Sequence, residues 1–456
     1  MPNYAPLCAP FSLSAQSRPT GVRLLPTSPD LPPIPRRRWR VAFLLAFGVI
    51  IGYFDRINIA VSQDALHVSF GISLIAFGYL SSAFSWTYAL MQMPAGMLLD
   101  RFGVRRVGRV STFLWSAASF AGALSPGLGL FAVARLLLGT AEAPVFPANA
   151  KALGYWFPQH ERSLAISITD AAAKFSSAIG VPFLGLILLH FGWRVTFATT
   201  GLLSLLYFVL FYVYYRNPRE DAGLSPRELE WIVAGGGAQP EIPAQPNRPS
   251  LLGYLLLQPK VYGLALGWGA YNYSFFLFLN WLPSYLSIAH HMDLLQSVVY
   301  TSAPWLFATI TDLLVGGWLV DTLIQRGWNA NRVRQAVMIG GTAFGLAIFG
   351  AARTHSPVLA LCWISLGLGG LAAAAPVAWT VPSLIAPSGS VATMASIANL
   401  SGQLAAISAP IITGYIVSAT RSFNSAFVIA AAVLVIGIFG YSVLLGRIEP
   451  IPEPAP

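Results

Sequence analysis

The chain has 456 residues, of which 55% are hydrophobic and only 10% charged, with a mean hydropathy of +0.64. Ordinary soluble domains carry about 25% charged residues, so a water-soluble fold of this makeup would aggregate. The formal net charge of +10 invites a nucleic-acid reading, which the placement of the charges along the chain excludes.

Residues 1–35 carry nine prolines and no apolar core, which predicts a disordered tail, because so little surface could be buried against the entropy of ordering it. The tail lacks the apolar stretch of a cleaved signal peptide, so the first span is expected to remain as an uncleaved anchor. A helix needs about 20 apolar residues to cross a hydrocarbon core of about 30 Å. Twelve such runs follow, at about 39–60, 72–98, 107–126, 128–150, 163–190, 193–215, 260–285, 296–320, 335–352, 357–385, 391–418 and 424–446. Prolines in 128–150 and 357–385 are expected to kink or shorten those spans. Between spans the only long connection is 216–258, rich in Pro, Gly and charge. It divides the chain into a first bundle of six spans (36–215), a linker (216–258), a second bundle (259–447) and a short tail (448–456). The expected fold class is therefore all-α and membrane-embedded, with twelve transmembrane helices in two six-helix pseudo-symmetric bundles. Cys8 and Cys362 offer no disulfide framework.

Of the 27 Lys and Arg residues, 21 fall on the side of the N-terminus, three on the opposite side and three inside spans. This is the positive-inside asymmetry, which predicts that both termini and the linker are cytoplasmic. Arg36, Arg37, Arg38 and Arg40 would anchor the first span, and Arg101, Arg105, Arg106 and Arg109 mark the next turn on that side. The basic balance is topology, and no nucleic-acid partner is expected.

Two motifs recur about half a chain apart, as duplication would leave them. Gly96-Met-Leu-Leu-Asp100-Arg101-Phe-Gly103-Val-Arg105-Arg106 follows the second span, and Gly317-Trp-Leu-Val-Asp321 follows the eighth. Ser-Ala-Ile-Gly-Val-Pro182-Phe-Leu-Gly185 in the fifth span is similar to Ala-Ala-Ile-Ser-Ala-Pro410-Ile-Ile-Thr-Gly414 in the eleventh. In the first motif Gly96 would permit close helix approach, while Asp100 at a helix end and the following arginines would lock neighbouring helices across the seam. A purely topogenic basic turn is the alternative. This spacing resembles the signature loop of the major facilitator superfamily, over about 39–446.

Within that superfamily, Tyr53-Phe-Asp55-Arg56-Ile-Asn58, Asn280-Trp-Leu-Pro283-Ser-Tyr285 and Asp321-Thr-Leu-Ile-Gln-Arg326-Gly327 leading to Arg332 and Arg334 resemble the anion:cation symporter family. That family includes bacterial galactonate, glucarate and hexuronate carriers, and animal sialin and vesicular glutamate transporters. The resemblance implies movement of organic carboxylates, commonly coupled to protons.

Ionisable groups inside spans cost at least about 2.5 kcal/mol each on insertion scales, so each is a candidate functional residue. Seven stand out: Asp55, Arg56, Arg135, Glu142, Asp170, Lys174 and Asp312. Four negatives against three positives leave internal pairing as the competing reading for each. Adjacent Asp55 and Arg56 point about 100° apart on a helix and cannot face the same neighbour. The resemblance assigns Arg56 to the substrate anion and Asp55 to the proton. Arg135 and Glu142 share a helix face about 10.5 Å apart. Glu142 lies in Gly139-Thr-Ala-Glu142-Ala-Pro144, where a close-packed, broken helix is expected. The resemblance makes Glu142 a second proton site and gives Arg135 the task of holding it, against a plain helix-packing pair. All six histidines fall in predicted loops or at span ends, which leaves proton coupling to carboxylates.

Asp170 and Lys174 are an i,i+4 pair with the acid first, the better orientation for an intrahelical bridge. If Lys174 instead faces the cavity, it supplies a second cation for a dicarboxylate or an aromatic acid. The sugar-acid carriers place a substrate-contacting Gln where this chain has Ala173, which argues against a polyhydroxylated substrate. Asp312 has no assigned role. It could bond locally, face the cavity rim or act as another proton site. Tyr53, Tyr88, Asn272, Tyr273, Trp379 and Asn399 resemble substrate contacts of the family, with core packing as the alternative for each.

The leading expectation is a proton-coupled symporter importing a small organic anion, with the bundles rocking around a midplane site. It would act as a monomer in a cell membrane, such as a bacterial inner membrane, with the anion, protons and lipid as partners and no cofactor or metal. The alternatives are an anion exchanger or uniporter of the same fold, or a non-transporting membrane sensor. A phosphate-ester exchanger would need a second arginine in the seventh span, which has only Lys260 at its edge. No nucleophile–base pair, metal cluster or phosphate loop is legible in the spans, so an enzyme is not expected.

Overall fold

The computed structural model describes residues 34–237, 252–354, 356–387 and 390–453. The proline-rich tail through residue 33, with Cys8, lies outside them, as do the linker residues 238–251. Among the described residues the chain is helical, with no strand.

The first six spans are Arg37–Val61, Leu74–Leu99, 104–123, Leu128–Trp156, 164–191 and 193–214. The second six are Pro259–His290, Leu294–Gln325, Ala330–Ala351, Pro357–Ile385, Val391–Thr420 and Asn424–Leu445. Hydropathy alone understates the number. Among the described residues nine stretches are long and apolar enough to cross a membrane, one of which, Leu164–Tyr214, is the fifth and sixth spans together. The seventh span escapes such a test because it faces protein instead of lipid: most of its residues are buried, among them Asn272, Ser274, Asn280 and Ser284.

Two corners show how neighbouring spans are joined. Gly103 (φ 75°, ψ 164°) turns the chain between the second and third spans, and Gly192 (φ 77°, ψ 170°) between the fifth and sixth. Both lie in the left-handed region that favours glycine. Matching backbone geometry at matching corners divides the first half into two three-helix repeats. Side chains cap several span starts: Ser73 Oγ accepts from Ala76 N, Asp293 Oδ1 from Gln296 N, and Asn329 Oδ1 from Arg332 N.

The two prolines of the tenth span, Pro376 and Pro382, sit inside a helix that runs unbroken over Pro357–Ile385, so they do not shorten it. The fourth span does break, after Glu142, and resumes at Val145, because Pro144 has no N–H to continue the ladder. The eighth span widens into a π-helix over Asp312–Leu319, which nothing in the residue pattern announces.

The first part of the linker folds back on the first half. Ser225-Pro226-Arg227-Glu228 opens the helix Pro226–Ala234, with Ser225 Oγ accepting from Glu228 N. The fully buried Glu228 carboxylate accepts from the free backbone N–H groups of Arg37 (3.1 Å) and Arg38 (3.0 Å), capping the first span. Arg38 also pairs with Glu161 (2.6 Å) at the start of the fifth span, and Arg37 with Asp221 (2.6 Å). The expected anchoring arginines thus divide, Arg37 and Arg38 being held in protein while Arg36 and Arg40 are exposed.

The halves pack most tightly on the face away from the termini. A Cβ on Gly78 of the second span would lie 2.7 Å from the Pro410 carbonyl oxygen, and one on Gly414 2.7 Å from that of Leu74. On the other seam, Gly185 of the fifth span meets Val298 of the eighth. Gly96 behaves differently from the expectation for it. A Cβ there would meet nothing within 4 Å, so its position requires no close helix approach.

Candidate transport site

The seven ionisable residues singled out inside the spans form two clusters. The first is confined to the first half. Asp55 and Arg56 leave the first span in different directions, as their adjacency requires. The buried Asp55 carboxylate turns toward the third and sixth spans, where Trp115 Nε1 (2.6 Å), Ser119 Oγ (3.0 Å) and Ser204 Oγ (3.0 Å) donate to it. These neutral donors let a carboxylate sit away from water.

Arg56 turns toward the second and fourth spans. Its Nε (3.2 Å) and Nη2 (3.0 Å) both donate to Glu142 Oε2, while Glu142 Oε1 is buried without a hydrogen-bond partner. The rings of Tyr53, Phe84 and Tyr88 surround the guanidinium at 4.8, 4.7 and 5.2 Å from its central carbon. Such a cage adds cation–π attraction, about 0.5–2 kcal/mol per ring at most, without consuming the donor fork. Arg135, to which the resemblance gives the task of holding Glu142, makes its hydrogen bond elsewhere. Its Nη1 donates to the Asp55 backbone carbonyl (3.0 Å), tying the fourth span to the first. Arg56 makes the ion pair with the Glu142 carboxylate.

The second cluster crosses between the halves. Lys174 Nζ lies 2.6 Å from Asp170 Oδ2, one turn away on the fifth span, and 2.6 Å from Asp312 Oδ2 on the eighth. The expected bridge within the fifth span is therefore present, and Asp312, left without a role by the sequence, shares the same ammonium. Lys174 and Asp312 are 2% and 1% exposed. Tyr53 links the clusters, in electrostatic range of Arg56 and Glu142 on one side and of Lys174 and Asp170 on the other.

The remaining sequence-derived candidates separate. Asn272 Nδ2 bonds the Trp268 carbonyl on its own helix (2.8 Å), and Trp379 sets its edge against Trp268 at 4.8 Å. The Tyr273 hydroxyl is buried without a hydrogen-bond partner. Asn399 reaches across the halves to Gln92 Oε1 (3.3 Å). The sequence reading missed Trp268, Tyr271 and Phe275, which form an aromatic run along the seventh span: Tyr271 stacks on Trp268 (5.0 Å), and Phe275 meets Tyr53 of the first half (6.3 Å). Their density between residues 268 and 281 was the available signal.

The described residues of the signature loops make the following contacts. Arg105 pairs with Glu220 of the linker (2.7 Å), Arg101 lies over Phe102, and Arg106 and Asp321 are exposed. The Asp100 side chain lies outside what is described.

A bundle of apolar helices that buries its few charges near the contact between two repeated halves defines a multi-pass membrane transporter. The family model for the Major Facilitator Superfamily matches residues 45–331, and the chain belongs to that superfamily. It is accordingly a transporter and not an enzyme. The chain is 39% identical over 413 residues to an uncharacterized transporter, YybO, of Bacillus subtilis strain 168, covering 90% of this chain and 95% of that protein. It is 30% identical to the D-galactonate transporter of Escherichia coli O6:H1, covering 91% and 97% of the two chains. These similarities agree with the sugar-acid, anion:cation symporter resemblance read from the sequence. In fold it matches the crystal structure of a D-xylose–proton symporter with a TM-score of 0.69 at 16% identity, over 90% of this chain and 98% of that one.

Proposed function

We propose that the protein imports a small organic carboxylate together with protons by alternating access, as a monomer with both termini in the cytoplasm. The observation that carries this reading is the Arg56–Glu142 contact, in which one carboxylate oxygen occupies the guanidinium fork and the other is unsatisfied. A planar fork of this kind suits bidentate carboxylate binding, so Glu142 and a substrate carboxylate compete for one cation. Protonating Glu142 removes the competitor and opens Arg56 to the anion. Loss of that proton on the far side returns the fork to Glu142 and expels the anion. Asp55, held by neutral donors on the opposite face of the first span, is the second proton acceptor.

The names of relatives support a carboxylate as cargo, D-galactonate being the one carried by the Escherichia coli protein. Ala173, where the resemblance places a glutamine, is buried and offers no side-chain hydrogen bond, which supports a less hydroxylated acid.

The test is uptake into proteoliposomes under an imposed pH gradient, starting with D-galactonate and a panel of simpler mono- and dicarboxylates. Accumulation driven by external acid is expected, and Glu142→Gln should keep exchange of bound substrate while losing that acceleration. Uptake of a transported acid that ignores the gradient overturns the reading.

A further inference from the structure

We propose that the Asp170–Lys174–Asp312 cluster binds an exchangeable proton of its own, which makes Asp312 a proton-carrying residue located on the half opposite Asp55 and Glu142. The first support is charge balance. Asp55 and Glu142 are matched within the first half by Arg56 and Arg135, whereas the second cluster sets two carboxylates against one ammonium. Its fully ionised form would place one net negative charge inside the membrane, where the Lys174 and Asp312 side chains are 3% and 1% exposed and that of Asp170 is 23% exposed, at about 2.5 kcal/mol or more on insertion scales. One bound proton removes that charge.

Geometry supplies the second support. Both carboxylates approach the same Nζ at 2.6 Å, so Asp170 and Asp312 are held beside each other on a single ammonium. Two ionised carboxylates sharing one ammonium repel each other, and a proton on one of them removes that repulsion. Asp312 Oδ2 is buried with no aligned hydrogen bond, so proximity to the ammonium does not by itself satisfy it. The other group facing this centre is a neutral phenol, that of Tyr271 on the seventh span, with Tyr53 of the first span beyond it. Neither offsets the odd carboxylate.

The third support is placement. Asp312 opens the π-helical stretch Asp312–Leu319, and π segments inside α-helices concentrate at functional sites. The cluster lies on the seam between the fifth and eighth spans, so any rocking that parts them breaks the Lys174–Asp312 contact. With Asp312 protonated, Lys174 stays with Asp170 and the halves part without a stranded charge. That use of the proton rests on the symport reading, but its presence does not.

The experiment is infrared difference spectroscopy of the full chain in lipid nanodiscs at neutral pH, without substrate, following carboxylic-acid carbonyl bands and their shift in heavy water. One band should disappear in Asp312→Asn and also in Asp170→Asn, because either change leaves a balanced pair, and it should persist in Asp55→Asn and Glu142→Gln. A spectrum unchanged by Asp312→Asn, or a band surviving in Asp170→Asn, overturns the proposal. The two variants check each other if one folds poorly. Because the readout involves no transport, a band that behaves as expected in a protein whose uptake ignores pH would sink the symport reading and leave this one standing.

Discussion

The two buried clusters use the same chemistry under different mechanical conditions. Arg56, Glu142, Asp55 and Arg135 all belong to one half, so their contacts with one another lie within a single bundle. Lys174 and Asp312 belong to different halves and hold each other only while the fifth and eighth spans are together. A contact inside one bundle stores stability, whereas a contact across the seam biases a conformational equilibrium, since a contact counts only in the state where it is made. The glycines follow the same division. Gly139 brings the fourth span against the second within one half, and Gly78 brings the second against the eleventh across the seam.

This contrast can be broken most sharply at Arg56. Arg56→Gln leaves a buried Glu142 without its cation and is expected to cost about 3–5 kcal/mol, read as a lower melting temperature of purified protein along with lost uptake. Adding Glu142→Gln should recover most of the stability and none of the uptake. If the single variant melts like the parent, the cluster inside the first half is not the store of stability described here.

Next in size are the glycines. A Cβ on Gly139 would lie 2.1 Å from the Phe84 backbone oxygen, a clash that cannot be relieved by a side-chain rotation. Gly139→Ala should therefore destabilise by about 1–3 kcal/mol. Gly78→Ala meets the backbone of the opposite half and should instead part the seam, with little change in melting. Pulsed electron-electron distance measurements between labels on the second and eleventh spans would detect the widening. Equal effects of both substitutions on melting alone would erase the distinction between internal and seam contacts.

A smaller effect is expected at the linker. Glu228→Gln keeps the acceptor oxygen but loses the charge that caps the first span and pairs with Arg38. A loss of about 0.5–2 kcal/mol should appear as faster hydrogen exchange at the start of that span, without change in the spans around Lys174. Smallest of all is Gly96→Ala, where open space and a helical backbone predict a change within about 0.5 kcal/mol. A large loss there would restore Gly96 to the close-packing role that its motif suggested.

Much of the candidate site was legible because charges in apolar spans are conspicuous. Asp55, Arg56, Glu142 and Lys174 could be singled out by hydropathy alone, and the divergence of Asp55 from Arg56 follows from helical geometry. Their partners were less accessible. Glu142 lies 86 residues from Arg56 and Asp312 lies 138 from Lys174, and no local periodicity relates positions so far apart. The resemblance assigned Glu142 to Arg135, a residue on its own helix face, while the fold delivered Arg56 from another span. Gly96 shows the converse: its motif is easily recognised, but whether a glycine touches anything depends on the helix beside it.

By itself the sequence determined that this protein spans a membrane, that it repeats itself in two halves and that a handful of ionisable residues must be satisfied inside. These are consequences of composition and short-range spacing, which a one-dimensional string contains in full. Only the tertiary structure decided that the charges divide into a balanced cluster within one half and an unbalanced one across the seam. Pairing in a low-dielectric interior depends on distances of a few ångströms between spans, and those distances exist only once the helices have packed.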